Sequence, residues 1–229
     1  MNSYLENQLH HFKQQYGDRL LTLLTILLLL MMFVFAPFQA TGIVAFQILG
    51  VIAGVALIGG ALAVSGSTRA FAILLVALII NIAVIISRMV HGPSAFQLYW
   101  LASAWLILAV TLGWVVARGV FGPGRVSYHR IIGAIFLYLL IALTFSALFI
   151  FLSLFVPNAI SGFKIEDNLA LASNLFYFNF VTLTSTGYGD IVPVHPIARS
   201  LSNLETILGQ FYPATLLARL VTLEVEGRR

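Results

Sequence analysis

The chain has 229 residues, of which 60% are hydrophobic and only 9% are charged. Soluble domains carry about 25% charged residues, so this composition excludes a water-soluble protein and predicts one that lies in a membrane. The formal net charge is +4, and the absence of cysteine excludes disulfides, thiolate metal sites and cysteine nucleophiles.

Residues 1–19 are polar and carry charges of both signs, so we expect them to lie outside the membrane. The apolar run that follows continues to about Phe38. A cleavable signal has an apolar region of only about 7–15 residues, so this run predicts a first transmembrane helix that is retained.

Six apolar runs along the chain are long enough to cross a membrane, which takes about 20 residues in a helix. Glycine, proline and serine mark the breaks between them. The runs cover residues 20–38, 43–64, 70–90, 97–116, 131–156 and 197–223.

A shorter apolar stretch, residues 169–182, lies between the last two runs, with Asp167 or Asn168 as its expected amino-terminal cap. Its roughly 14 residues would reach about 21 Å at 1.5 Å per residue, which is less than the roughly 30 Å of the hydrocarbon core. A half-crossing helix followed by irregular backbone is tolerated only where protein surrounds it or where it lines a cavity. The sequence therefore predicts a re-entrant helix and loop.

Basic residues are distributed unevenly between the two sides of this array. Because six spans bring both termini to one side, that side holds Lys13, Arg19, Arg69, Arg118, Arg125, Arg130, Arg219, Arg228 and Arg229. The other side keeps Arg88, Lys164 and Arg199. The excess of positive charge predicts that the termini are cytoplasmic, so the re-entrant loop would enter from outside.

The re-entrant loop carries the motif TLTSTGYGD over residues 182–190. The glycines on either side of Tyr188 allow left-handed backbone, so that successive carbonyls can point the same way. A ring of such carbonyls, contributed by four subunits, can replace the hydration shell of K⁺. The Ser185 hydroxyl would add one more layer of oxygen, and the carboxyl end of the short helix would favour a cation.

With this motif, the stretch from Ile131 to Leu223 resembles the pore module of the tetrameric potassium channel family: outer helix, pore helix, selectivity filter and inner helix. The family signature is Thr-(Val/Ile/Thr)-Gly-Tyr-Gly-Asp, and this chain has Ser-Thr-Gly-Tyr-Gly-Asp. Pro193 follows Asp190 by three residues, as in many members, and Gly209 falls where the family places a hinge glycine in its inner helix.

The chain also departs from the family. Ser185 replaces the usual threonine but keeps a hydroxyl, Val181 stands where some members have a glutamate, and Tyr177-Phe178 stand where many have paired tryptophans. We expect Tyr177 to donate a hydrogen bond to Asp190 and so to brace the filter. The alternative is that Asp190 is a solvated residue at the mouth.

The resemblance implies functional residues at three levels of the pore. The selectivity filter would consist of Ser185, Thr186, Gly187, Tyr188 and Gly189, supported by Thr182, Thr184, Tyr177 and Asp190. The inner-helix gate or cavity would involve Glu205, Gly209, Gln210 and Pro213.

Glu205 is an ionisable residue at membrane depth, which indicates a functional role by default. Four copies would either raise the cation concentration in the cavity or act as a proton-sensitive support behind the filter. The structural alternative is a hydrogen bond to a pore-helix hydroxyl such as that of Thr182. Pro213 removes one helical hydrogen bond and should kink the inner helix, which suits a gate.

The first four helices resemble a voltage-sensing domain in number only. Such a domain needs an arginine at every third position of its fourth helix, but residues 97–116 contain none. No Asp or Glu occurs from Arg19 to Ile165 either, so Arg88 is expected to be a hydrated charge near a helix end. We therefore expect a pore without an intrinsic voltage sensor.

The predicted fold is an all-α membrane protein with six transmembrane helices plus a re-entrant pore helix and filter loop. Its domains would be a cytoplasmic segment (1–19), a four-helix domain (20–118), a cytoplasmic linker (119–130), the pore domain (131–223) and a cytoplasmic tail (224–229). The expected location is a bacterial inner (plasma) membrane, spanned several times.

The predicted function is passive K⁺ conduction by a homotetramer, because one filter strand cannot encircle an ion. The alternatives are a less selective cation channel, a non-conducting sensor or scaffold subunit, and a transporter built from four pore repeats, against which the single motif argues. We expect membrane lipid as a partner, no nucleic acid and no soluble ligand domain. We also expect no cofactor, no metal other than permeant K⁺ and no enzymatic activity.

Overall fold

Helices make up nearly all of the chain that the computed structural model describes, which is residues 19–64, 68–121 and 128–227. In chain order they are α1 (Arg19–Ala40), α2 (Val44–Val64), α3 (Thr68–His91), α4 (Ala95–Phe121), α5 (Tyr128–Phe155), α6 (Leu171–Leu183) and α7 (Pro196–Gly227). The predictions for residues 1–18, for half of the linker (residues 122–127), and for Lys13, Arg125, Arg228 and Arg229 lie outside the described residues.

Five of these helices, α1 to α5, are long and apolar enough to cross a membrane. Helix α6 is a shorter apolar helix of 13 residues, as the sequence predicts for a half-crossing element. Helix α7 has 32 residues, and at 1.5 Å per residue it is about 48 Å long. Its first half is rich in polar residues, so its composition alone does not mark it as a span. The chain is therefore an integral membrane protein, and the sixth span remains a prediction.

Two of the four front helices, α1 and α4, pack directly against α6. Phe33 of α1 lies against Phe180 of α6, with ring centroids 4.8 Å apart. Trp105 of α4 stacks on Phe176 at 5.7 Å. These rings join an apolar core that continues from α1 and α4 into α5. A displacement of α1 or α4 would therefore press on α6.

An ion pair joins the front helices to the segment that leads into α6. Arg88, near the end of α3, pairs with Asp167, and the Asp167 carboxylate also accepts a hydrogen bond from the backbone N–H of Ser94 at 3.2 Å. The Asp167 carboxylate is thus bonded both to α3 and to the segment that precedes α4. The expectation that Arg88 is a hydrated charge without an acidic partner was wrong.

Helix α6 starts two residues later than a cap at Asn168 would require. Its first residue is Leu171, and no side chain caps it. The side-chain oxygen of Asn168 instead accepts a hydrogen bond from the N–H of Ala170 at 3.0 Å, in a local turn. The prediction of Asp167 or Asn168 as the cap was therefore wrong, because one is held by Arg88 and the other closes this turn.

Two short strands connect the outer end of α5 to the segment after the filter motif. Strand β1 (Ile160–Ser161) pairs antiparallel with β2 (Val192–Pro193), and Ile160 lies opposite Pro193. Gly162, with φ +104°, passes so close to the Asp190 carbonyl that a Cβ there would lie 2.4 Å from the oxygen. The backbone after the motif is thereby held against the loop after α5.

Candidate functional site

The pore helix α6 is anchored by a buried amide that the sequence analysis did not single out. Asn179 is fully buried, and its Nδ2 donates to the Ala142 carbonyl at 3.1 Å and to Ser146 Oγ at 2.6 Å, both on α5. A buried amide is costly without partners, so these bonds fix how α6 sits on α5. The signal in the sequence was an asparagine placed between two phenylalanines, Phe178 and Phe180.

The filter motif follows α6 directly, and its exposed residues alternate in the sign of the backbone angle φ. The residues with positive φ are Ser185 (+57°), Gly187 (+61°) and Gly189 (+83°), whereas Thr186 and Tyr188 between them keep the usual negative sign. Alternation between left- and right-handed backbone turns successive peptide units the same way, so that N–H groups line one side and carbonyls the other.

The N–H groups of this segment are bonded to the end of α6. Ser185 N donates to the Thr182 carbonyl at 3.0 Å, and Thr186 N donates to the Val181 carbonyl at 2.9 Å. Gly187 N also approaches the Val181 carbonyl, at 3.4 Å. No donor among the described residues contacts the carbonyls of residues 185–189. Residues 185–189 are all exposed, so no protein donor among the described residues would compete with a ligand for these oxygens.

Side chains brace the filter segment, residues 185–189, from behind. Tyr177 Oη donates to the Asp190 carboxylate at 2.8 Å, which is the hydrogen bond expected from the sequence. The Tyr177 and Tyr188 rings stack with an interplanar angle of 4°. The Thr184 and Thr186 hydroxyls share a hydrogen bond of 2.7 Å. Thr182 contributes its carbonyl, since its hydroxyl is bonded within α6 to Phe178.

The inner helix α7 meets the end of α6 at a point that has no room for a side chain. A Cβ on Gly209 would lie 2.1 Å from the Leu183 carbonyl oxygen. Thr206, one turn earlier, donates to the Thr182 carbonyl at 3.3 Å. The helix continues through Gly209 and through Pro213. In this structure Gly209 is therefore required by close packing, whereas the sequence analysis assigned it to a hinge.

Gln210 of α7 reaches the cavity end of the filter segment. Its Nε2 donates to Ser185 Oγ at 3.0 Å and lies 3.5 Å from the Leu183 carbonyl. In the single subunit Gln210 and Pro213 are exposed. Of the four inner-helix residues expected at a gate or cavity, these two thus lie on a free surface of α7.

Glu205 neither lines an open surface nor makes the expected hydrogen bond to Thr182, and its role as a proton-sensitive support behind the filter stays a prediction. Its side chain is fully buried inside the subunit, so it does not line an open surface. Neither carboxylate oxygen has a hydrogen-bond partner among the described residues. The expected bond to the Thr182 hydroxyl is wrong, because it is the neighbouring Thr206 that faces Thr182.

A long helix, a short apolar helix, an exposed segment with alternating φ and a second long helix follow in this order from α5 to α7, and this stretch resembles known proteins. Residues 134–226 match the family model Ion_trans_2, described as ion channel. This part of the chain matches an ion channel family. The ion channel match begins inside α5 and ends inside α7, so it contains all of the residues discussed as filter, support and inner helix. Channels are not enzymes, so the expectation of no enzymatic activity is confirmed.

One similar protein extends the comparison. Protein LctB of Bacillus caldotenax is 29% identical over 126 residues, which make up 53% of this chain and 90% of that protein. No solved structure matches the chain.

Proposed function

We propose that this chain is one subunit of a potassium-selective channel, in which four copies surround one axis and residues 185–189 form the filter. The proposal depends on one observation, the alternating backbone of residues 185–189, whose first three N–H groups are bonded to α6 and whose carbonyls have no donor among the described residues. Rings of backbone carbonyls that replace the hydration shell are the means by which K⁺ channels select their ion. One strand presents only one side of such a ring, so four subunits are required.

The electrostatics of α6 support the same site. The carboxyl end of this helix lies next to Ser185, and a helix carries partial negative charge at that end. The backbone N–H groups of residues 185–187 already use its last carbonyls, so the filter segment is attached rigidly to the helix. A cation beside Ser185 would thus face both free carbonyls and a favourable dipole.

The topology that we propose has both termini in the cytoplasm and the filter exit outside. It retains the predicted domains: residues 20–118 as the front four helices and residues 131–223 as the pore, with α7 as the sixth span. The Arg88–Asp167 pair supports this arrangement, because it requires the end of α3 and the start of the pore helix to lie on one side. The bacterial inner membrane is the proposed location.

Ion flux from purified protein in liposomes tests the function. We expect K⁺ and Rb⁺ to pass far faster than Na⁺. Equal flux of Na⁺ and K⁺ would support the alternative of a less selective cation channel, and no flux from an assembled particle would support a scaffold or sensor subunit. A particle mass of two or three chains, and never four, would contradict the tetramer.

Gly187→Ala provides a sharper test, because open space surrounds the position. A Cβ there would meet nothing within 4 Å, so the cost comes only from φ +61°, where an L side chain costs roughly 1–2 kcal/mol. We expect this substitution, present in each of the four subunits, to reduce K⁺ flux or selectivity strongly. Gly113→Ala in α4 is the matched control, since its Cβ also meets nothing within 4 Å but its backbone is helical. Equal effects of the two substitutions would contradict the proposed filter.

A further inference from the structure

Ser185 occupies the one position of the filter segment where the chain departs from the threonine of its family signature. In threonine the methyl group on Cβ restricts χ1, whereas the unbranched side chain of serine can adopt three staggered rotamers. Ser185 also has φ +57°, so its hydroxyl sits on left-handed backbone. Something other than its own covalent structure must therefore select the rotamer that faces an ion.

Gln210 is in position to select this rotamer. The acceptor-only Leu183 carbonyl lies 3.5 Å from the Gln210 amide nitrogen, which identifies the group facing the filter as the donor end of the amide. The same nitrogen is 3.0 Å from Ser185 Oγ. The contact joins α7 to the filter segment across 25 positions of sequence.

The hydrogen bond leaves the capacity of the hydroxyl for an ion intact. A serine hydroxyl has one donor hydrogen and two acceptor lone pairs. The Gln210 N–H occupies one lone pair, so the other lone pair can face a cation while the O–H points to cavity water. The amide thus orients the oxygen without competing for the ion.

We propose that Gln210 is a positioning residue that orients the Ser185 hydroxyl as a ligand at the cavity end of the filter. The inference rests on the proposed potassium channel. It assigns to the inner helix the fixing of a rotamer that, in a threonine, the methyl group on Cβ would restrict. Exchange of serine for threonine at position 185 should therefore make Gln210 dispensable.

The test uses block by Ba²⁺ applied from the cytoplasmic side, in full-length protein reconstituted in bilayers. Ba²⁺ is a divalent ion of nearly the size of K⁺ and probes the cavity-end site. Gln210→Met keeps the side-chain length and removes the donor, and we expect it to weaken block about fivefold or more, as loss of one neutral hydrogen bond per subunit implies. In the Ser185→Thr background, the same substitution should change block less than about twofold.

Thr206→Val is the matched control, because Thr206 also bonds α7 to a pore-helix carbonyl but does not touch the filter segment. Ba²⁺ should block the Thr206→Val variant as strongly as it blocks the unmodified protein. Gln210→Asn shortens the side chain beyond reach of Ser185, and it serves as a second variant should Gln210→Met fail to assemble. Unchanged block in either assembled variant, or equal weakening with serine and with threonine at position 185, would overturn the inference while the channel function stands. Failure of the unmodified protein to conduct K⁺ would instead overturn the proposed function.

Discussion

Asp167→Asn tests whether the front helices hold the pore helix by charge. The substitution keeps the shape of the side chain, and its remaining oxygen can still accept from the N–H of Ser94. It removes the negative charge that faces Arg88. The Asp167 side chain is only 8% exposed, and that of Arg88 is 35% exposed, so the lost interaction is partly desolvated.

The structure sets the expected size of the effect. A hydrogen bond to a charged group contributes about 1.5–3 kcal/mol, whereas an exposed ion pair contributes roughly 0–1 kcal/mol. Because Arg88 can be partly solvated once its partner is neutral, we expect a loss near the lower bound, about 1.5–2 kcal/mol. Glu166→Gln is the control, since Glu166 lies 3.9 Å from Lys164 and both side chains are more than half exposed; its loss should stay below about 0.5 kcal/mol.

Reversible unfolding in mixed micelles of mild detergent and SDS measures these free energies. A double-mutant cycle with Arg88→Gln isolates the pair, and we expect a coupling free energy of about 1–2 kcal/mol. A coupling within about 0.3 kcal/mol of zero would refute the reasoning, as would an equal loss in Glu166→Gln. A coupling of the expected size, together with faster decay of K⁺ current in Asp167→Asn, would show that the pair also steadies the filter.

Further predictions follow from packing, burial and charge. Gly209→Ala should prevent assembly or conduction, because its Cβ would lie 2.1 Å from a pore-helix carbonyl oxygen; gel filtration and flux measure this against Gly113→Ala. Glu205→Met should raise the free energy of unfolding by about 1–3 kcal/mol, since it removes an unpartnered buried carboxyl; a loss of stability would reveal a partner for the carboxyl. A cysteine at Asn158 should react with an impermeant thiol reagent only from outside, and one at Gly227 only from the cytoplasm. Current–voltage curves in symmetrical K⁺ should be near-ohmic, because moving one charge through 100 mV supplies about 2.3 kcal/mol and the front helices carry few charges to move. A tenfold rise in conductance over some 10–15 mV would contradict this prediction.

The sequence predicted the features that are encoded locally. The conformation of residues 185–189 depends on two glycines and on the end of the helix that precedes them, and all of these lie within one short stretch. The hydrogen bond from Tyr177 to Asp190 spans only 13 positions and could be anticipated from the motif. Periodicity and length likewise sufficed for α1 to α5 and for the short α6.

Contacts between distant elements could not be predicted in this way. Arg88 and Asp167 are 79 positions apart, and no pattern in the sequence relates them. The sequence does not tell how far α7 is rotated about its own axis. Successive residues of a helix point about 100° apart, so an error of one residue led to the prediction that Glu205 faces Thr182. In the structure Thr206 faces Thr182 instead. Gly209 was predicted as a hinge, and its close packing on α6 could not be foreseen because it depends on that same rotation.

The pairing of β1 with β2 has a mechanical consequence. The two strands tie the outer end of α5 to the backbone just beyond Asp190, and Asp190 is in turn bonded to Tyr177 of the pore helix. A tilt of α5 in a stretched or thinned bilayer would therefore pull on the outer mouth of the filter through a few residues. The inner helix, fixed to the pore helix at Gly209, lies outside that short path. Strain from the lipid and motion of the inner helix would thus reach the filter from opposite ends.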